Sequence, residues 1–385
     1  MWYFLNEEEE RIRQAAAEVA KQIAPAAFDW EMKSPGANVD SFRIMQQKKL
    51  LALHVPKELG GEGANFVAWC LAQEEVAKVD LAASNTISHE AVVPNVLLNL
   101  ATKEQCDHYL TKQAQGDFWG VCVTEPQGGS DMGNIQTKAV LKDGKYVLNG
   151  KKAWVLNGDV ADRHLLWAST DSSKKIHGLS VFIIEKGTPG LKVSEPYNKL
   201  GWKGVSCCDL DLDNVEIPEA NLVGKEGDGF NAFLCGLNPG RVGIAAQALG
   251  LAEGAYECAL DYATKRIEFG QPISNFQAVK FRLANMATSI ESGRALVYTT
   301  ARLIDQKHKD ADKLTAMAKC ELSDIAVNVT TSAIEIMGGA GYKSEYPVER
   351  MNRDAHGLRI ADGSNDIMRV IVASLIIPRQ PRAAK

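Results

Sequence analysis

The order of hydrophobic periodicities constrains this chain most. A helical period covers the first third, a short-strand pattern the middle, and a helical period returns to the end. Asn6 opens the first helical run, with Glu9 three residues on to complete a capping box. Ile12, Ala16, Val19 and Ile23 follow at helical spacing until Pro25 stops the run. Further helical patterns are predicted over 40–53, 65–79, 87–100 and 103–115, with a loop at Gly60–Gly63. Near residue 117 the character changes. Short apolar runs beginning at Ala139, Tyr146 and Ala153 are separated by Asp143-Gly144 and Asn149-Gly150, dipeptides that favour tight hairpin turns. Strands continue at Leu165–Ala168, Leu179–Ile184 and Cys208–Leu212. Long amphipathic runs then occupy 229–265, 275–307, 311–337 and 364–377. The expected fold is α+β: a helical domain over 1–117, an antiparallel β domain over 118–227 and a four-helix bundle over 228–385.

Composition excludes several functions. A net charge of -5 argues against a nucleic-acid surface, which needs a basic face. No apolar run is long enough to span a bilayer. Met1–Leu5 runs into acidic Glu7–Glu10, unlike a leader peptide, and Arg382–Lys385 carries no lipidation or sorting signal. The eight cysteines include no Cys-x-x-Cys pair and the histidines no ligand spacing, so no metal site is expected; free thiols fit a reducing cytoplasm.

Several motifs then follow in order. They are Val123-Thr124-Glu125-Pro126-Gln127-Gly128-Gly129-Ser130-Asp131, Leu148-Asn149-Gly150 with Trp154 to Gly158, and Asn238-Pro239-Gly240-Arg241. After these come Arg266 to Ile273 with Phe276-Gln277, then Glu335 to Gly341, and finally Glu349 to Ala355 followed by Ile360 to Arg369. Together they resemble the acyl-CoA dehydrogenase family over essentially the whole chain. The resemblance implies FAD as cofactor, an acyl-CoA thioester as substrate, an electron-transferring flavoprotein as acceptor and a homotetramer, with no nucleic acid and no membrane span.

By resemblance, Val121, Val123, Thr124, Gly129 and Ser130 cradle the flavin, and glycine lets the backbone approach closely. Trp154 lies against its ring. Leu156 stands where the family usually has a threonine whose hydroxyl meets flavin N5. Arg266, Phe269, Phe276, Gln277, Glu335, Gly338 and Gly339 serve the FAD of a neighbouring subunit, arginine offering paired donors to phosphate. The family commonly has glutamine in place of Glu335. Ser364 and Asp366 complete the cofactor set. Ser130, Asn238, Arg241, Ala361 and Gly363 are assigned to the substrate, Arg241 near its CoA portion.

The resemblance implies that an α proton leaves to a carboxylate while a β hydride passes to flavin N5. Backbone and ribityl donors to the thioester carbonyl acidify the α carbon. The family's catalytic glutamate falls on Asp362 and its tyrosine on Ala361. Asp362 is one methylene shorter and reaches about 1.5 Å less. Its other reading is a plain helix cap. Gly240 closes the alternative base position that some branches use, leaving Glu90 as a second acid candidate. A shorter base in a roomier cavity suits a cyclic or branched acyl group. Nitroalkane-oxidase-like chemistry, desulfinase-like chemistry and a non-catalytic flavin-binding role are the alternatives.

Overall fold

The computed structural model describes residues 5–32 and 36–377. The readings of Met1–Phe4 and of Arg382–Lys385 lie outside the described residues. In the N-terminal part, α1 (Glu7–Ile23) opens with the expected capping box. Glu9 N donates to Asn6 Oδ1 at 2.9 Å, and Asn6 N to Glu9 Oε2 at 3.1 Å. Pro25 ends α1 but does not end helical structure. It sits in the 3-10 turn Ala24–Ala26, where its missing N–H costs nothing, and the chain resumes as α2 (Ala27–Met32). α3 (Val39–Gln47) stops short of residue 53 because Lys49 turns left-handed at φ 55. α4 (Phe66–Ala77) follows. α5 (Leu81–Leu100) begins six residues earlier than the periodicity indicates: Asp80 accepts from Ala83 N at 3.1 Å, and residues 81–88 are buried all round and so show no polar face. α6 (Lys103–Gln115) has its expected bounds.

The middle part holds β1 (Trp119–Cys122), β2 (Lys138–Lys142), β3 (Lys145–Leu156), β4 (Arg163–Ser169), β5 (Leu179–Glu185), β6 (Leu191–Val193), β7 (Cys207–Pro218) and β8 (Leu222–Val223). Their order is β6-β7-β3-β2-β4-β5-β8, with β1 beside β4. The sheet is antiparallel except where β4 lies parallel to β1 and to the start of β2. Asp143-Gly144 makes the expected turn, with φ 52 and 75. Asn149-Gly150 does not. It lies inside β3, where the register against β7 shifts, and Gly150 is needed because a Cβ there would sit 2.5 Å from Thr137 Oγ1.

The last part comprises α7 (Gly229–Lys265), a hairpin of β9 (Ile267–Glu268) and β10 (Gln271–Pro272), α8 (Gln277–Asp305), α9 (Ala311–Met337), α10 (Val348–Leu358) and α11 (Asn365–Ile376). α10 is an addition to the four expected runs. Trp69 of α4, Leu249 of α7, Val297 of α8 and Leu322 of α9 share one apolar core, so the two helical parts are fused. A second core joins Val96, Trp119, Trp167 and Ala232, seating the sheet against α5 and the start of α7. No helix among the described residues is long and apolar enough to cross a membrane, and no metal-ligating cluster occurs among them.

Candidate active site

The residues singled out in the sequence fall into three groups. The first is built on β1 and β3. Cys122 is buried while Val121, Val123 and Thr124 are half-buried, so this edge is open at its far side. The Glu125–Gly128 turn closes with Gly128 N donating to Glu125 O at 3.0 Å. Ala153 N donates to Thr124 O at 2.9 Å, which brings Trp154 beside the turn. A buried ion pair anchors the turn from below: Lys152 Nζ lies 2.8 Å from Glu125 Oε1 and 3.1 Å from Val123 O. Gln136 N and Thr137 N also donate to Glu125, at 2.7 and 3.0 Å. Burial alone would raise Glu125, but Lys152 and these donors outweigh it and hold the carboxyl at about 2.

Trp154 is 60% exposed and left-handed at φ 59. The β3–β7 register shifts between Lys152 and Val155, which turns its ring out of the sheet. Tyr197 braces it edge-on at 4.8 Å. A large ring held out this way, beside exposed Gly128, Gly129 and Ser130, fits a flat aromatic ligand. Leu156 closes β3, half-buried.

The second group surrounds Asp362. Asp362 and Gly363 are both left-handed, at φ 53 and 92. Arg241 Nε donates to Asp362 O at 3.0 Å and Arg241 Nη1 to Asn238 Oδ1 at 2.7 Å. Lys319 Nζ donates to Gly363 O at 2.7 Å. Asp362 is exposed in surface area, and desolvation by its surroundings acts on the carboxyl. That burial raises its pKa, while Arg241 and Lys319 pull it back. Ala361 is half-buried against the helical core. Ser364 caps α11, accepting from Ile367 N at 3.4 Å, and Asp366 pairs with Arg369 at 3.0 Å. These two side chains therefore serve α11. Arg241, expected near the CoA portion of a substrate, is 5% exposed and directed at the Asp362 turn.

The third group is peripheral. Arg266 is exposed and paired with Glu268. Phe269 is 92% exposed at φ 51, its ring 6.0 Å from Phe276. Gln277 opens α8 on the surface. Glu335 pairs with Arg282, so its charge is already balanced. Beside it Gly338 and Gly339 are exposed, and a Cβ at either would meet nothing within 4 Å. The exposed hairpin tip, the exposed glycine pair and the Arg266 guanidinium offer an apolar surface, room for close backbone approach and paired donors suited to a phosphate.

Glu90 is corrected. It is buried, and both carboxylate oxygens are used in the structure: Oε1 accepts from Trp119 N and Oε2 from Gln113 Nε2, each at 3.1 Å. Burial raises its pKa to about 8, so it is a largely neutral tie between α5, α6 and β1. Sequence reasoning missed Lys319 and gave no role to Lys152 and Asp354, although both stand inside its motifs. Asp354 Oδ1 accepts from Trp202 N at 2.6 Å, tying α10 to the β domain, and burial raises its carboxyl to about 7. For Lys319 the only signal is a charged residue inside a regular helical run, whereas Lys152 and Asp354 lie within the Leu148–Gly158 and Glu349–Ala355 motifs.

Three family descriptions match successive parts of the chain: acyl-CoA dehydrogenase N-terminal domain over 6–117, middle domain over 120–215 and C-terminal domain over 227–377. An acyl-CoA dehydrogenase of Bacillus subtilis (strain 168) is 43% identical over 93% of this chain and 94% of its own length. The butyryl-CoA dehydrogenase structure from Megasphaera elsdenii superposes with a TM-score of 0.94 at 32% identity, covering 98% of this chain and 100% of that one. A structure described as PigA with FAD and proline has a TM-score of 0.91 at 28% identity, covering 98% and 99%.

Proposed function

From the premise that this chain belongs to the acyl-CoA dehydrogenase family of FAD-dependent oxidoreductases, we propose that it dehydrogenates a cyclic or branched acyl-CoA, with Asp362 taking the α proton. The observation that carries this reading is the Asp362 turn: a solvent-reachable carboxyl with a raised pKa, its backbone fixed by two buried cations. When bound, FAD supplies the hydride acceptor. The chain's own residues hold the reactants and move the proton. Its raised pKa makes Asp362 a stronger base than an unperturbed aspartate, and activity should rise as pH rises through that pKa. The Asp362 N–H is the backbone donor for the thioester carbonyl.

Two features support a bulky acyl group. Ala361 is small, and Gly240 is buried although a Cβ there would meet nothing within 4 Å. Val121, Val123, Thr124, Gly129, Ser130, Trp154 and Leu156 hold the flavin end of the cofactor. Arg266, Phe269, Phe276, Gln277, Gly338 and Gly339 hold its distal end in a neighbouring copy. The outward Phe269, Phe281 and Tyr342 support a homotetramer. Electrons leave to an electron-transferring flavoprotein, and the eight free thiols fit a cytoplasmic site. Leu156 favours the oxidase as second reading, because it removes a hydroxyl at the flavin.

The test is anaerobic bleaching of the bound flavin by straight, branched and cyclic acyl-CoAs, with nitroalkanes in parallel. Bleaching by branched or cyclic thioesters supports the proposal. Bleaching by nitroalkanes alone overturns it.

A further inference from the structure

Lys319 lies in the middle of α9, and its side chain is 0% exposed. It reaches across to the turn before α11, donating to Gly363 O at 2.7 Å and to Asn365 Oδ1 at 3.0 Å. Arg241, from α7, holds the preceding carbonyl. Two successive peptide oxygens are thus fixed by two buried cations on different helices. Neither cation forms an ion pair among the described residues. A buried ammonium with no carboxylate against it is costly, and a glutamine or serine could have satisfied one carbonyl without that cost. The charge therefore has a use where it stands.

That use is legible in what surrounds it. Asn365 is locked in turn: Ser323 Oγ donates to its Oδ1 at 3.1 Å and its Nδ2 donates to Asp324 Oδ1 at 3.2 Å. Asp324 is itself neutralised by Arg359 at 2.7 Å and Arg369 at 3.1 Å. On its own helix Lys319 has Cys320 and Asp324 nearby, from α7 it faces Arg241, and from the turn it faces Asp362. Of the two carboxylates, Asp324 is spoken for, so Asp362 is the anion left to the Lys319 field. Asp362 is left-handed, a conformation that a non-glycine residue keeps only where its surroundings enforce it.

We propose that Lys319 is a positioning residue for the base, clamping the Asp362–Gly363 turn and holding Asp362 ionised. This deepens the reading of Asp362 as the base and rests on it. A short base needs such a clamp more than a glutamate does, because one fewer rotatable bond leaves the backbone to set where its oxygens arrive. Burial depresses Lys319 to about 8, so its charge is present at neutral pH.

The test uses the FAD-loaded enzyme with whichever acyl-CoA bleaches it. Lys319→Met is measured for flavin content, kcat, KM and the pH profile of kcat/KM. The expected result is retained flavin, KM within about twofold, kcat lower by about tenfold, and an acid limb moved up by about one pH unit. Lys319→Gln keeps one donor for the Gly363 carbonyl but no charge. It should recover part of kcat and keep the moved limb, and it carries the test if the methionine variant does not fold. An unmoved acid limb in a folded variant overturns the proposal. Asp362→Asn separates the two readings: if it retains turnover and the same limb, Asp362 is not the base. If it is inactive while Lys319→Met and Lys319→Gln leave the limb in place, only the role of Lys319 falls.

Discussion

Replacing Lys152 by methionine removes the cation beneath the flavin-facing turn while keeping its volume. Lys152 is 0% exposed, so no water replaces it easily. Burial depresses the Lys152 ammonium even beside its carboxylate, whereas Glu125 is drawn down to about 2. The intact pair thus gains little over two apolar groups, and the large effect comes from stranding Glu125. Breaking a buried pair costs roughly 3–5 kcal/mol in general. Here Glu125 keeps the Gln136 and Thr137 amides, and it can also escape by binding a proton. From an ordinary value near 4.5, protonation at pH 7 costs about 3 kcal/mol at about 1.36 kcal/mol per unit, and under about 1 kcal/mol at pH 5. In the parent chain the depressed carboxyl contributes stability above its unfolded value, lost only as pH falls toward about 2. Lys152→Met should therefore be destabilised by about 3 kcal/mol at pH 7, by distinctly less at pH 5, and should lose flavin in proportion. Urea unfolding at both pH values, with flavin content by absorbance, is the assay. A loss below about 1 kcal/mol at pH 7, or an equal loss at both, refutes the reasoning.

Glu90→Gln should keep flavin and turnover near the parent values. Glu90 is raised to about 8 in the fold, so its stabilising contribution is present below the unfolded value and lost as pH rises toward 8; the variant's relative stability should grow by about 4 kcal/mol between pH 5 and 8, read by urea unfolding. Phe269→Asp should reduce both the mass measured by light scattering and flavin retention, because an outward ring on a hairpin tip serves another copy; a tetramer with full flavin would contradict that.

Where one residue type and its neighbours decide the outcome locally, the sequence is legible. The Asn6–Glu9 box, the Asp143-Gly144 turn and the bounds of α6, α7 and α9 all follow from local chemistry. Asn149-Gly150 has the same composition as a turn, but Thr137 lies against Gly150 from a neighbouring strand, and that contact is invisible in one dimension. The start of α5 was hidden because burial on every side erases periodicity. Asp362 and its turn stand in a motif visible in the sequence, whereas Lys319 stands in an ordinary helical run and meets Gly363 forty-four positions later. A single sequence does not reveal that Trp119 and Gln113 occupy the oxygens of Glu90.

The central claim is that Asp362 takes the proton, and Asp362→Asn tests it most directly. Asparagine is nearly isosteric and tolerates the left-handed φ of 53, so the turn and its Arg241 and Lys319 bonds should persist. Rapid anaerobic mixing of the flavin-loaded variant with the reactive acyl-CoA is followed at the visible flavin band. The account requires full flavin content, preserved thioester binding and a reduction rate lower by about 10²–10⁴-fold. A variant that binds flavin and still bleaches within a few-fold of the parent rate would contradict it.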